Sequence, residues 1–132
     1  MKHLNTIIIG TGSHIPDKVV KNEEFVNQDF YTDKKEKIVA LGEKIVRQFE
    51  AITGIQERRY AEKGINTSDI GYFAAKEAIE NAGIDPETID QIILAQNFGD
   101  VEEGGNQSSM VPSIAARVKH LLKIKNHFQS SK

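Results

Sequence analysis

Cysteine and tryptophan are both missing from this sequence of 132 residues, and proline occurs only 3 times. Without cysteine the chain forms no disulfide, holds no thiolate-ligated zinc and carries no thiol nucleophile. Charge of one sign is lacking too. Its 17 basic and 19 acidic residues leave a formal charge of -2 with no long run of either sign, which argues against nucleic acid or an anionic membrane as the main partner. A small, mostly neutral ligand or a protein partner fits better. No apolar stretch approaches the roughly 18 residues of a membrane span. Met1-Lys2-His3-Leu4 runs straight into a strand-like segment with no signal-peptide core or cleavage site, so a cytoplasmic location is expected. What is present, 39% hydrophobic and 27% charged residues, is the make-up of an ordinary folded domain.

Thr6-Ile7-Ile8-Ile9-Gly10-Thr11-Gly12 joins a β-branched run to glycines, the pattern of a buried strand of a parallel sheet entering a turn. From Lys35 to Ile52, the residues Ile38, Leu41, Ile45, Phe49 and Ile52 recur at three- and four-residue spacing and predict an amphipathic helix ended by Gly54. Gly54 to Ala61 alternates weakly, as a short edge strand or an extended loop does. A second helix is predicted from the capping residues Asn66-Thr67-Ser68-Asp69 to Gly83. On it Gly71, Ala74, Ala75, Ala78 and Ala82 form a stripe that a neighbour can approach almost backbone to backbone. Asp85-Pro86-Glu87-Thr88 supplies a turn, Ile89 to Ala95 a second apolar strand, and Asp100 to Ser109 a polar, glycine-containing loop. Ile114, Ala115, Val118, Leu121 and Leu122 then read as a helix, and Lys123 to Lys132 has lost periodicity. Strand, helix, strand in this order predicts a parallel α/β layer with a right-handed crossover, whose loops after the strand ends are where ligands bind.

Most residues that suggest chemistry have a plainer explanation. Gly10-Thr11-Gly12 lacks the third glycine of a dinucleotide cradle and is followed by Ile15-Pro16 where a helix should open. His3, His14, His120 and His127 have no metal-ligand spacing, so no metal site is expected. Glu102-Glu103 is a loop pair of the kind that is normally solvated. Asn66-Thr67-Ser68 fits a glycosylation sequon but, without a secretion signal, serves better as a cap. Arg58-Arg59 either meets an acidic protein partner or a phosphate, or simply aids solubility.

Three segments together resemble the opening of the β-ketoacyl-acyl-carrier-protein synthase III family of the thiolase-like superfamily. They are Ile9-Gly10-Thr11-Gly12-Ser13-His14-Ile15-Pro16, Thr53-Gly54-Ile55-Gln56-Glu57-Arg58-Arg59, and Ala74 to Asp85. The resemblance continues through Ile89 to Ala95 and Val111 to Val118. It implies a thiolase-like α/β fold, present here as an incomplete N-terminal half with a parallel-dominated sheet and flanking helices. It also implies a partial domain over residues 1–126 and a tail, 127–132, outside the family pattern.

Members of this family condense an acyl thioester with malonyl-acyl-carrier-protein. A cysteine at a helix N-terminus takes the acyl group, and a His and Asn pair assists decarboxylation. By resemblance those three residues lie beyond this chain, which is therefore expected to be inactive alone. No cofactor is implied, since acyl-coenzyme A or acyl-carrier-protein is substrate. The implied partners are the acyl carrier protein and a second copy in a homodimer. Thr53 matches a residue of the coenzyme A site, while Gln48 and Ile52 stand where relatives carry a tryptophan and an arginine. Met110 and Val111 match the segment that lines the partner's acyl pocket, with packing ahead of a helix as the alternative. Arg58 and Arg59 become candidate carrier-protein contacts. A second reading makes the chain a non-catalytic dimerisation partner of a full-length ketosynthase.

Overall fold

A computed structural model describes residues 5–101, 104–109 and 111–126. Along the chain run β1 (Lys18–Lys21), α1 (Gly42–Thr53), β2 (Glu57–Tyr60), α2 (Thr67–Ala82), β3 (Asp100–Val101), β4 (Ser108–Ser109) and α3 (Ile114–Leu121). They divide into two compact units, one of residues 16–62 and one of residues 1–15 with 63–132.

The 16–62 unit is built on an antiparallel pairing of β1 with β2, in which Val20 faces Arg58. Val20, Ile45 and Val46 form its buried centre. Helix α1 is shorter than its periodicity predicts. Lys35 takes a left-handed conformation at φ 62 in a turn closed by a bridge between Tyr31 and Lys37, so Lys35 to Leu41 stays outside the helix. Ile38 and Leu41 continue the apolar spacing without continuing the helix. Gly42 opens α1 where no side chain fits, because a Cβ there would meet the backbone of Val26. Gly54 ends it in the left-handed region at φ 68, the conformation glycine adopts without strain.

In the other unit, α2 occupies the span predicted for it. The Asp69 carboxylate accepts the Asn66 N–H at 2.8 Å, satisfying a donor left free at the helix start, and Gly83 closes the helix at φ 63. The small-residue stripe is used as expected. Gly10 and Gly12 lie against Ala74, Ala78 and Ala82, and Gly71 faces Val118 and Leu94. Ile114, Val118 and Ile124 make the buried centre beside α2. Glu87 accepts the backbone N–H groups of Lys125 and Asn126 at 2.9 and 2.8 Å, which holds the chain beyond α3 against the Pro86–Thr88 turn.

The expected parallel sheet is not assembled among the described residues. Both ladders present are antiparallel and two-stranded. Residues 6–12 and 89–95 carry no ladder hydrogen bonds there. A run rich in β-branched residues becomes a sheet strand only where a neighbouring backbone supplies its hydrogen bonds. Helix α2 covers part of these segments but offers no ladder. The polar stretch Asp100 to Ser109, expected as a loop, is instead gathered by the β3–β4 pairing, with Asp100 opposite Ser109.

Candidate functional site

Thr53 is the last residue of α1. Its hydroxyl donates to the Phe49 carbonyl at 2.7 Å and accepts the Ile55 N–H at 3.2 Å, so it fixes the turn through Gly54 while staying exposed. Past that turn, the two neighbouring arginines part company. Side chains alternate sides along β2, which leaves Arg58 half-buried and Arg59 outside. Arg58 donates to the Asn22 Oδ1 at 2.7 Å and lies over the Phe25 ring at 5.1 Å, a cation–π contact. Asn22, only 6% exposed, spends its amide on the Ile55 carbonyl at 2.7 Å and on Glu50 at 3.3 Å. Arg58 thereby forms one wall of a cleft of about 200 Å³ that Phe25, Phe30, Phe49 and Tyr60 also line. Arg59 makes a loose pair with Glu57 at 3.7 Å, both side chains being nearly half exposed. In the same unit, Lys37 donates to the Asp29 carboxylate at 2.7 Å, and that hydrogen bond holds its pKa above the ordinary lysine value of 10.5.

Met110 lies outside the described residues, as do Glu102, Glu103, His3 and His127. Val111 is 84% exposed. The segment that carries it is anchored from α3. Arg117 donates to the Ser109 hydroxyl at 2.7 Å, the Pro112 carbonyl at 3.0 Å and the Val111 carbonyl at 3.2 Å. The same guanidinium stands 3.4 Å from Asp100. Asp100, 6% exposed, accepts the Ser68 N–H at 2.9 Å and the Ser68 hydroxyl at 2.6 Å. A carboxylate at the first turn of α2 is stabilised both by those donors and by the positive end of the helix dipole. α2, β3, the Val111 segment and α3 are therefore tied at one buried charge.

Sequence reading missed Asp100, Ser68, Arg117 and Asn22. Asp100 falls in the stretch predicted as a polar loop and Ser68 among the capping residues, while Asn22 and Arg117 carry no signal of their own. The signal available for Asp100 is its place at the start of the polar loop that follows Ile89 to Ala95. Ser68 donates straight to a carboxylate with no histidine between them, and both are buried. This is a structural tie with no activated nucleophile in it. His14, which has no metal-ligand spacing, packs its ring against Phe73 in a tilted contact with centroids 4.7 Å apart. Among the described residues no helix is long and apolar enough to cross a membrane.

No protein-family model matches the chain. Individual relatives do. Over 94 residues, 71% of this chain, it is 43% identical to the β-ketoacyl-[acyl-carrier-protein] synthase III of Laribacter hongkongensis. Over 119 residues, 90% of the chain, it is 39% identical to the enzyme of the same name from Clostridium acetobutylicum. Over 123 residues, 93% of the chain, it is 34% identical to that of Listeria monocytogenes. The chain spans only 25%, 30% and 33% of the lengths of these three relatives. Among solved structures it is similar to a priming β-ketosynthase from a polyketide biosynthetic pathway, with a TM-score of 0.63 at 26% identity, over 90% of this chain and 29% of that one. The fold is thus thiolase-like and partial, a mixture of helix and strand.

Proposed function

We propose, from the premise that the chain belongs to the β-ketoacyl-[acyl-carrier-protein] synthase III family over the stretch it shares with it, that it is one portion of an enzyme joining an acyl thioester to malonyl-acyl-carrier-protein in fatty-acid or related acyl-chain synthesis. The observation that carries the reading is the agreement of sequence and fold over the same residues. Up to 93% of the chain aligns with synthases of that name, and 90% of it superposes on a priming β-ketosynthase.

The reaction needs a thiolate to hold the acyl group, and this chain has no cysteine. Its part is to shape the site while the chemistry is done elsewhere in the assembled enzyme, in the cytoplasm. Alone it is inert. Thr53 borders the acyl-donor site from the exposed end of α1. The absence of the aromatic and cationic partners at Gln48 and Ile52 favours a carrier-bound or unusual acyl donor over free acyl-coenzyme A. Exposed Val111, on the segment anchored by Arg117, reaches with Met110 toward the acyl pocket of a second subunit in a homodimer. Of the two arginines, Arg59 is the one accessible to an acidic carrier protein, because Arg58 is committed to Asn22 and Phe25.

The test is a condensation assay with malonyl-acyl-carrier-protein and a panel of acyl-coenzyme A and acyl-carrier-protein donors. It is run on this chain alone and on a chain extended to the relatives' length. Product only from the longer chain supports the reading and identifies the donor. Product from the short chain overturns the assignment of chemistry, and silence from both favours a non-catalytic partner of another ketosynthase.

A further inference from the structure

Three of the hydrogen bonds that Arg117 donates go to one short segment, on either side of position 110. Its Nη2 reaches the Ser109 hydroxyl at 2.7 Å and the Val111 carbonyl at 3.2 Å, and its Nε reaches the Pro112 carbonyl at 3.0 Å. A guanidinium does this because its donors are fixed in one planar fork, whereas a lysine ammonium offers a single point. At Val111 the grip is on the carbonyl, and the side chain stays 84% exposed.

The fork is itself held from behind. Its Nη1 stands 3.4 Å from Asp100 Oδ2, which also accepts the Ser68 hydroxyl at 2.6 Å, while Asp100 Oδ1 accepts the Ser68 N–H at 2.9 Å. Asp100 is 6% exposed and lies opposite Ser109 in the β3–β4 pairing. The contact with Asp100 is enough to tie α3 to α2. The three bonds to residues 109–112 add nothing to that tie; what they fix is where the segment stands.

We propose that Arg117 is a positioning residue for acyl-chain selection, acting through the segment 109–112, with Asp100 holding its guanidinium in place. This rests on the reading above, in which the Met110–Val111 segment borders the acyl pocket of a second subunit. A pocket wall discriminates by roughly 10-fold or more between chains one methylene apart only when it does not yield to the longer one. Val111 has little packing from its own subunit to stiffen it, so its rigidity comes from the backbone, and Arg117 supplies it.

The experiment is the condensation assay with donors of increasing acyl length, on the chain extended to the relatives' length, unaltered and as Arg117→Lys, Asp100→Asn and Val111→Ala. Arg117→Lys should flatten the profile. The kcat/KM ratio between the best donor and one a methylene longer should fall from roughly 10-fold or more toward unity, with KM for malonyl-acyl-carrier-protein unchanged. Asp100→Asn should flatten it less, and Val111→Ala should move the optimum to longer donors with its sharpness kept. In the 132-residue chain, Arg117→Lys should speed exchange of the Ser109 and Val111 amides several-fold while α2 keeps its protection. Equal loss for all donors in Arg117→Lys, an unaltered enzyme that does not discriminate, or unchanged exchange at Val111 each overturns this proposal alone. An unaltered extended chain that makes no product overturns the enzyme reading and donor selection together. Should Arg117→Lys fail to fold, Ser109→Ala removes one acceptor, leaves the Asp100 contact and carries the same comparison.

Discussion

Asp100→Ala is the substitution from which the most can be learned. The carboxylate holds the Ser68 N–H at 2.9 Å, the Ser68 hydroxyl at 2.6 Å and the Arg117 guanidinium at 3.4 Å, and is itself 6% exposed. Removing it leaves a first-turn helix donor unpaired, a loss of about 1 kcal/mol by analogy with lost caps. A buried hydroxyl loses its acceptor, about 1 kcal/mol more. Arg117 keeps its charge without the carboxylate. Its side chain is 26% exposed, so water relieves part of the penalty and about 1 kcal/mol remains of what a fully buried broken pair costs. The expected total is about 3 kcal/mol, or a fall in Tm of roughly 10–15 °C.

Asp100→Asn keeps one acceptor for the Ser68 N–H and loses the charge, so it should cost about half as much. Urea unfolding followed by far-ultraviolet circular dichroism gives both values, and exchange of the Ser68 amide reports the site directly. A loss for Asp100→Ala of less than about 1 kcal/mol, or no greater than that of Asp100→Asn, refutes the claim that one buried charge ties α2, β3 and α3 together.

Gly12→Ala puts a methyl against the Ala74 carbonyl and 2.5 Å from the Ala78 nitrogen. Because the obstacle is helix backbone, a loss of about 2–3 kcal/mol is expected in the same unfolding experiment, and a neutral result means residues 6–12 do not rest on α2. Asn22→Ala frees the Arg58 guanidinium and the Ile55 carbonyl. It should cost roughly 2–3 kcal/mol, with a double-mutant cycle against Arg58→Ala giving a coupling above about 0.5 kcal/mol; additive losses would remove Arg58 from the structural role given to it. Lys37, raised by its hydrogen bond to Asp29, should titrate by NMR above the ordinary lysine value of 10.5. Since the folded-state value is the higher one, any stabilisation from this pair is complete below the ordinary 10.5 and fades as pH rises through the raised value. A midpoint at the ordinary 10.5, or one unchanged in Asp29→Asn, removes the pair.

Local chemistry in the sequence was enough for the elements whose ends are marked by their own residues. Helix α2 runs between Asn66 and Gly83 because a capping pair starts it and a left-handed glycine stops it, and both act within one turn. The alanine and glycine stripe foretold a close approach, and Gly10 and Gly12 make it. The family resemblance was also legible, carried by glycine and Thr-Gly-Ile motifs whose spacing survives any detail of packing. The start of α1 was not legible. Ile38 and Leu41 keep helical spacing, yet the turn at Lys35 and the contact of Gly42 with Val26 set where the helix begins.

Tertiary structure alone decided three further matters. Of two adjacent arginines it committed Arg58 to Asn22 and left Arg59 in solvent, since neighbours on a strand face opposite sides. It assembled Ser68, Asp100 and Arg117, which stand as far as 49 positions apart in the chain, around one carboxylate. It also left Thr6–Ile9 without a ladder among the described residues. Composition records that a segment is apolar and β-branched, but whether it becomes a covered strand or an open edge depends on which backbone lies beside it, and no residue of the segment encodes its neighbour.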